Sequence, residues 1–135
     1  MLIAYLMPMK TEKPSAGAKW SLPNIMASSL NFVTMIGDYD ADPTTPFLKE
    51  MSLHYYRLPK GAPDLQRPHY EDELYYVLLG SRTIQIVDNG VEILVPLETG
   101  DLVYVPARAA HKFIGDEEIS LLVFFAPNYS GHPET

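Results

Sequence analysis

His69, Glu73 and His111 are the residues of this chain whose types and spacing suit metal chemistry. His69 and Glu73 stand four apart in a segment with an extended pattern, so a period of two puts both side chains on one face. His111 falls on a separate run, after a stretch from Gly100 to Pro106 that reads as a strand between two turns. Two imidazoles and one carboxylate form a donor set that suits Fe, Zn, Mn or Ni. Groups converging from two strands can reach the bonds of about 2 Å that such ions require. Three protein donors leave coordination positions open, the arrangement of catalytic rather than structural sites.

The elements that must position these groups are short strands. Twelve prolines in 135 residues recur between short apolar runs, which leaves little room for long helices. Runs rich in β-branched and aromatic residues predict strands at about Leu30–Ile36, Met51–Leu58, Glu73–Leu79, Thr83–Asp88, Val91–Val95, Leu102–Val105 and Ile119–Ala126. Asp88-Asn89-Gly90 between two of them predicts a type I′ hairpin. Residues 10–22 and 38–46 are polar and Pro-rich, and read as loops. Near Pro23–Ser29 no helical period is clear. Many short strands in a small chain mean a sandwich or a barrel, and the period alone does not choose between them.

The length fits one domain with a core of its own. With 47% hydrophobic and 20% charged residues the composition is that of a globular protein. Cysteine is absent, which excludes disulfides, thiolate metal sites and thiol catalysis. A net charge of −7 with scattered Lys and Arg argues against nucleic acid as a partner. The apolar run Met1–Met7 has no basic flank, ends at Pro8 and is too short to span a bilayer, so no membrane role and a cytoplasmic location are expected. No phosphate loop, nucleophile elbow or zincin helix motif is present.

Two segments carry a longer pattern. The first runs from Gly61 through Arg67, Pro68, His69 and Glu73 to Gly80; the second runs from Gly100 through Pro106 and Arg108 to His111 and Gly115. Together they resemble the two conserved motifs of the cupin superfamily. Gly61, His69, Glu73 and Gly80 fall at the spacings of the first motif, and Gly100, Pro106 and His111 at those of the second. The resemblance covers roughly residues 50–127. It implies an all-β fold, a double-stranded β-helix or jelly-roll barrel of two antiparallel sheets, with one divalent metal ion held inside near one mouth. Three positions depart from the pattern. Arg67 stands where the family has its first metal-binding His, Arg108 where the second motif has Gly, and Gly115 where it has Asn.

Arg67 matters most, because a guanidinium stays charged and cannot ligate a metal. Four placements compete. It turns outward at Pro68, leaving three ligands; Gln66 takes the empty position through a bulge; Glu71, on the face of His69 and Glu73, supplies a second carboxylate; or Arg67 points in and grips an anionic substrate. Tyr75 and Val77 share the face of Glu73, and Phe113 follows His111 by two. His54 and Tyr56 share a face of their own strand. All five are candidates for a substrate pocket; Tyr75, Val77 and Phe113 suit plain core equally, whereas His54 and Tyr56 read more readily as core or rim. Glu71 reads more readily as a solvated rim carboxylate, Asp72 as a surface one on the opposite face. His132 lies in a terminal tail, and nothing assigns a role to Trp20.

The resulting expectation is a single cupin domain over residues 1–135, with its motif-bearing core at about 50–127, an N-terminal extension at 1–29 and a tail at 128–135. Metal-dependent chemistry on a small organic molecule is the leading function, as an oxygenase, lyase or isomerase. No acid–base pair is identifiable, so catalytic residues are not assigned. The alternative is a non-catalytic binding or sensor domain with a structural metal or none. The resemblance also implies a homodimer, and the apolar Leu2–Met7 segment is expected to help by packing on, or adding a strand to, a second subunit.

Overall fold

The computed structural model describes residues 15–37, 51–64 and 71–127. Gln66, Arg67, His69, His132 and the Leu2–Met7 segment lie outside the described residues. Within them, one short helix precedes seven strands: α1 (Leu22–Ala27), β1 (Phe32–Ile36), β2 (Ser52–Leu58), β3 (Asp72–Asp88), β4 (Val91–Glu98), β5 (Leu102–Val105), β6 (Ala110–Ile114) and β7 (Ile119–Ala126). The helix starts where Ser21 accepts the Asn24 N–H at 3.4 Å and Pro23 sits in the first turn, positions that favour both residues.

β3 organises the fold. Its first part, Asp72–Gly80, pairs with β7, and Glu73–Tyr76 also pair with β5. Its second part, Ser81–Asp88, pairs with β4, and Thr83–Val87 pair with β6. All of these pairings are antiparallel. One sheet therefore runs β1-β2-β7-β3-β5 and the other β4-β3-β6, with β3 common to both. They face each other, as the Tyr75 and Phe113 rings show by meeting edge to face at 5.1 Å. This is the expected jelly-roll barrel.

The two separate strands expected at Glu73–Leu79 and Thr83–Asp88 are one strand of 17 residues. The sequence breaks at Gly80-Ser81, but the chain bends there without ending its pairing. Gly80 has φ 96°, and a register shift between Val77 and Leu79 loosens the ladder beside it. The Asp88–Val91 hairpin closes as the sequence predicts, with Asn89 at φ 51° and Gly90 at φ 76°. β6 was not expected. Its inward positions His111 and Phe113, with Ala109 just before it, alternate with exposed Ala110 and Lys112, a period of two hidden by small and charged residues.

Between the sheets lie Tyr75, Val77, Ile84, Ile86, Leu97, Val105, Phe113, Leu121, Val123 and Phe125, all buried. Burying each aliphatic or Phe side chain contributes roughly 1.5–3 kcal/mol. The polar groups in this core are what set the barrel's chemistry. No helix among the described residues is long and apolar enough to cross a membrane.

Candidate metal centre

Directly paired residues share a face of a sheet, so the ladders place the inward groups in rows. Ser52, Phe125, Glu73 and Val105 form one row across β2, β7, β3 and β5; His54, Val123, Tyr75 and Val103 form the next. His111 enters from the facing sheet, on β6 opposite Ile86. There Glu73 Oε1 stands 2.9 Å from His111 Nε2, with both side chains at 1% exposure or less.

The imidazole's orientation follows from its other nitrogen. His111 Nδ1 lies 2.9 Å from the Ala109 carbonyl, which can only accept, so Nδ1 carries a proton. Nε2 is then the atom that faces the carboxylate. Two lone pairs cannot face each other at that distance in a dry core, so the pair must share a cation: a proton or a metal ion. Burial pulls the His111 pKa down. The Glu73 charge and contact, the Ala109 carbonyl and Asp64 more than offset this and hold it above its ordinary value.

This donor pair fits a divalent ion. A neutral imidazole nitrogen and a carboxylate oxygen that face each other could both ligate one ion. A backbone carbonyl holding the distal N–H is the usual support of a ligating histidine. Among the described residues no third His, Asp or Glu completes a metal-holding group with them. The third expected donor, His69, is outside those residues.

Other expected site residues fall in distinct places. Tyr75 is edge-on to His111 at 6.4 Å between ring centres and to Phe113, and Tyr75, Val77 and Phe113 are all buried in the core. His54 is fully buried in the core, stacked on Phe32 and edge-on to Phe125. Its Nδ1 lies 3.1 Å from Thr34 Oγ1 and its Nε2 3.0 Å from Ser52 Oγ. Burial outweighs the nearby Glu73 charge and lowers the His54 pKa to about 3, so the ring is neutral. Tyr56 donates to Asp64 Oδ1 at 3.3 Å, and burial together with Asp64 pushes its phenol well above the usual range.

Glu71 differs from its expected rim position, being only 2% exposed, yet it does not join Glu73 and His111 in a three-donor group. Asp72 does face outward. It accepts the Tyr104 hydroxyl at 2.9 Å and the Ala107 N–H at 2.8 Å, which ties down the turn before β6.

Asp64 and Arg82 carry structural roles that the sequence reading missed. Asp64 Oδ2 accepts the Phe113 N–H at 2.7 Å. Arg82, 4% exposed, donates through Nε to the Glu117 carbonyl and through Nη2 to the Ala62 carbonyl at 3.0 Å. The signal was available: Arg82 sits at an inward position of the series that continues with Ile84 and Ile86. A groove of ≈ 490 Å³ lies beside Arg82, Leu97, Ile114 and Glu117, and none of the expected site residues lines it.

Comparison with known proteins agrees with the fold. The cupin domain family matches residues 54–125. An uncharacterized protein of Streptomyces coelicolor is 42% identical over 84 residues, covering 60% of this chain and 76% of that one. Among solved structures, Bacillus subtilis oxalate decarboxylase, described with Mn(II) centres, is 25% identical with TM-score 0.57; the match covers 72% of this chain and 24% of that one. This chain thus corresponds to about a quarter of that enzyme. The plu4264 protein of Photorhabdus luminescens, 17% identical with TM-score 0.57, matches over 87% of this chain and 92% of its own, and shares the fold.

Proposed function

For a chain that belongs to the cupin domain family, we propose that the Glu73–His111 pair, completed by His69, holds one divalent metal at which a small oxygen-bearing organic molecule is processed. The observation that carries this reading is the approach of a carboxylate and an Nε2 to 2.9 Å inside the core. The Mn(II) centres of the oxalate decarboxylase neighbour make manganese the first ion to test.

Bound there, the ion would supply Lewis-acid polarisation of a substrate oxygen. The protein's own groups do the rest. Ala109 fixes the His111 ring, Glu73 contributes the negative charge that a dication needs, and the buried Tyr75 ring packs edge-on to His111. Low local dielectric strengthens each of these interactions. A non-catalytic binding domain is the second reading, and Arg67 favours it, because a cation in place of a family ligand weakens the pull on a dication.

Elemental analysis of protein purified without chelator tests the proposal, followed by Mn(II) and Fe(II) titration of the stripped protein. One ion per chain, lost in both His69→Ala and His111→Ala, is expected. Absence of any stoichiometric metal and of uptake on titration would reject it. A bound ion without turnover of small organic acids under that metal would select the binding-domain reading.

A further inference from the structure

Between β2 and the segment that carries His69, the chain runs along the outer edge of β6. The Gly61 N–H donates to the Asp116 carbonyl at 2.7 Å, and Asp64 Oδ2 accepts the Phe113 N–H at 2.7 Å. The two contacts lie in one antiparallel register, so from Gly61 to Asp64 the chain advances from Asp116 back to Phe113, in the direction of His111. Arg82 pins the middle of this stretch through the Ala62 carbonyl. Tyr56 donates to the second oxygen of Asp64 at 3.3 Å, and Asp64 itself is 7% exposed. Among the described residues β6 pairs with β3 alone, so N–H groups on its far side need other acceptors. A carboxylate out of water makes a strong one.

We propose that Asp64 is a positioning residue for the metal centre: its buried carboxylate locks the segment leading to His69 onto the strand that carries His111. Phe113 is two residues from His111 and Asp64 five residues from His69, so this single side chain couples the two motif segments. This rests on the metal reading above. The short reach of Asp sets the spacing between the two segments. One methylene more would push them apart, and one group fewer would let them separate.

Mn(II) titration of the stripped full-length protein tests this with three variants. Asp64→Asn keeps an acceptor for the Phe113 N–H and is expected to bind within about threefold of the parent. Asp64→Glu keeps the charge but alters the length, and is expected to bind roughly tenfold or more weakly. Asp64→Ser, too short to reach Phe113, is expected to show the same loss by the opposite change, and serves if the Glu variant does not fold. Parent-like affinity in both Glu and Ser variants, or an Asn variant as weak as they are, would overturn the proposal.

Hydrogen exchange on the metal-free proteins gives a second readout that needs no ion. Peptides spanning 59–64 and 109–115 should lose protection together in the Glu and Ser variants and keep it in Asn. If the parent takes up no Mn(II), the metal reading fails on that result. The coupling is then judged by exchange alone, and unchanged protection in the Glu and Ser variants rejects it.

Discussion

Gly80 and Glu118 come so close that a Cβ built on the glycine would stand 2.2 Å from the Glu118 carbonyl oxygen. This contact lies where β3 leaves one sheet for the other, after the stretch that holds Glu73 and before the stretch that pairs with β6. The bend lets one strand serve both walls of the barrel, so that a carboxylate on its first part can meet an imidazole on a neighbour of its second.

Gly80→Ala should therefore destabilise far more than Gly100→Ala. Both glycines have positive φ, 96° and 93°, and share the left-handed strain of about 1–2 kcal/mol. A Cβ at Gly100 meets open space, whereas at Gly80 it meets backbone. Urea unfolding should put Gly80→Ala more than about 2 kcal/mol below Gly100→Ala. Equal losses would mean that the close approach does not shape the bend.

The carboxylates of the first motif separate by the same logic of position. Glu73→Gln should weaken Mn(II) binding by at least roughly tenfold, because it removes the charge facing His111. Glu71→Gln should leave it within about threefold, since Glu71 forms no donor group with that pair. Titration calorimetry on the two variants checks this, and equal losses would make Glu71 a ligand.

Acid should weaken the fold through His54. Its pKa falls from an ordinary value of 6.5 to about 3 on folding, so the unfolded chain takes up a proton that the native ring refuses. The stability tied to the neutral ring is fully present above pH 6.5 and is lost progressively as the pH falls toward 3. Within that window this one group contributes a slope of up to roughly 1.4 kcal/mol per pH unit. Unfolding free energies measured at pH 7, 6 and 5 should fall less steeply in His54→Gln than in the parent. Parallel slopes would show that other groups carry the acid response.

Arg108, at φ 69°, occupies a left-handed position where the second motif carries glycine. Arg108→Gly removes the strain of a Cβ there, and Arg108→Ala does not. The glycine variant should be the more stable of the two by about 1 kcal/mol, read from thermal or denaturant unfolding. The reverse order would mean that the turn before β6 tolerates a side chain without cost.

Much of the barrel was legible because strand formation here is locally encoded. β2, β5 and β7 lie within a residue of where their aromatic and β-branched runs predict them, and Asn89-Gly90 closes the expected hairpin. β6 escaped because alanines and a lysine dilute its alternation, and the continuity of β3 escaped because Gly80 looks like a stop signal. Glu73, Tyr75 and Val77 share an inward face by parity alone, which needs no partner to read. That Glu71 is also buried did not follow, since the same parity suits a solvated rim equally well.

The linear chain determined the types and spacings of the donors, the alternation that turns them inward, and the glycine-punctuated motifs that mark the barrel. Only the folded structure decided that Glu73 and His111 stop 2.9 Å apart, that His54 is a neutral core group, and that Asp64 links the two motif segments. The reason is physical. A period of two is a property of neighbouring residues, whereas those three relationships join strands or loops 20 to 49 residues apart, and depend on how two sheets pack.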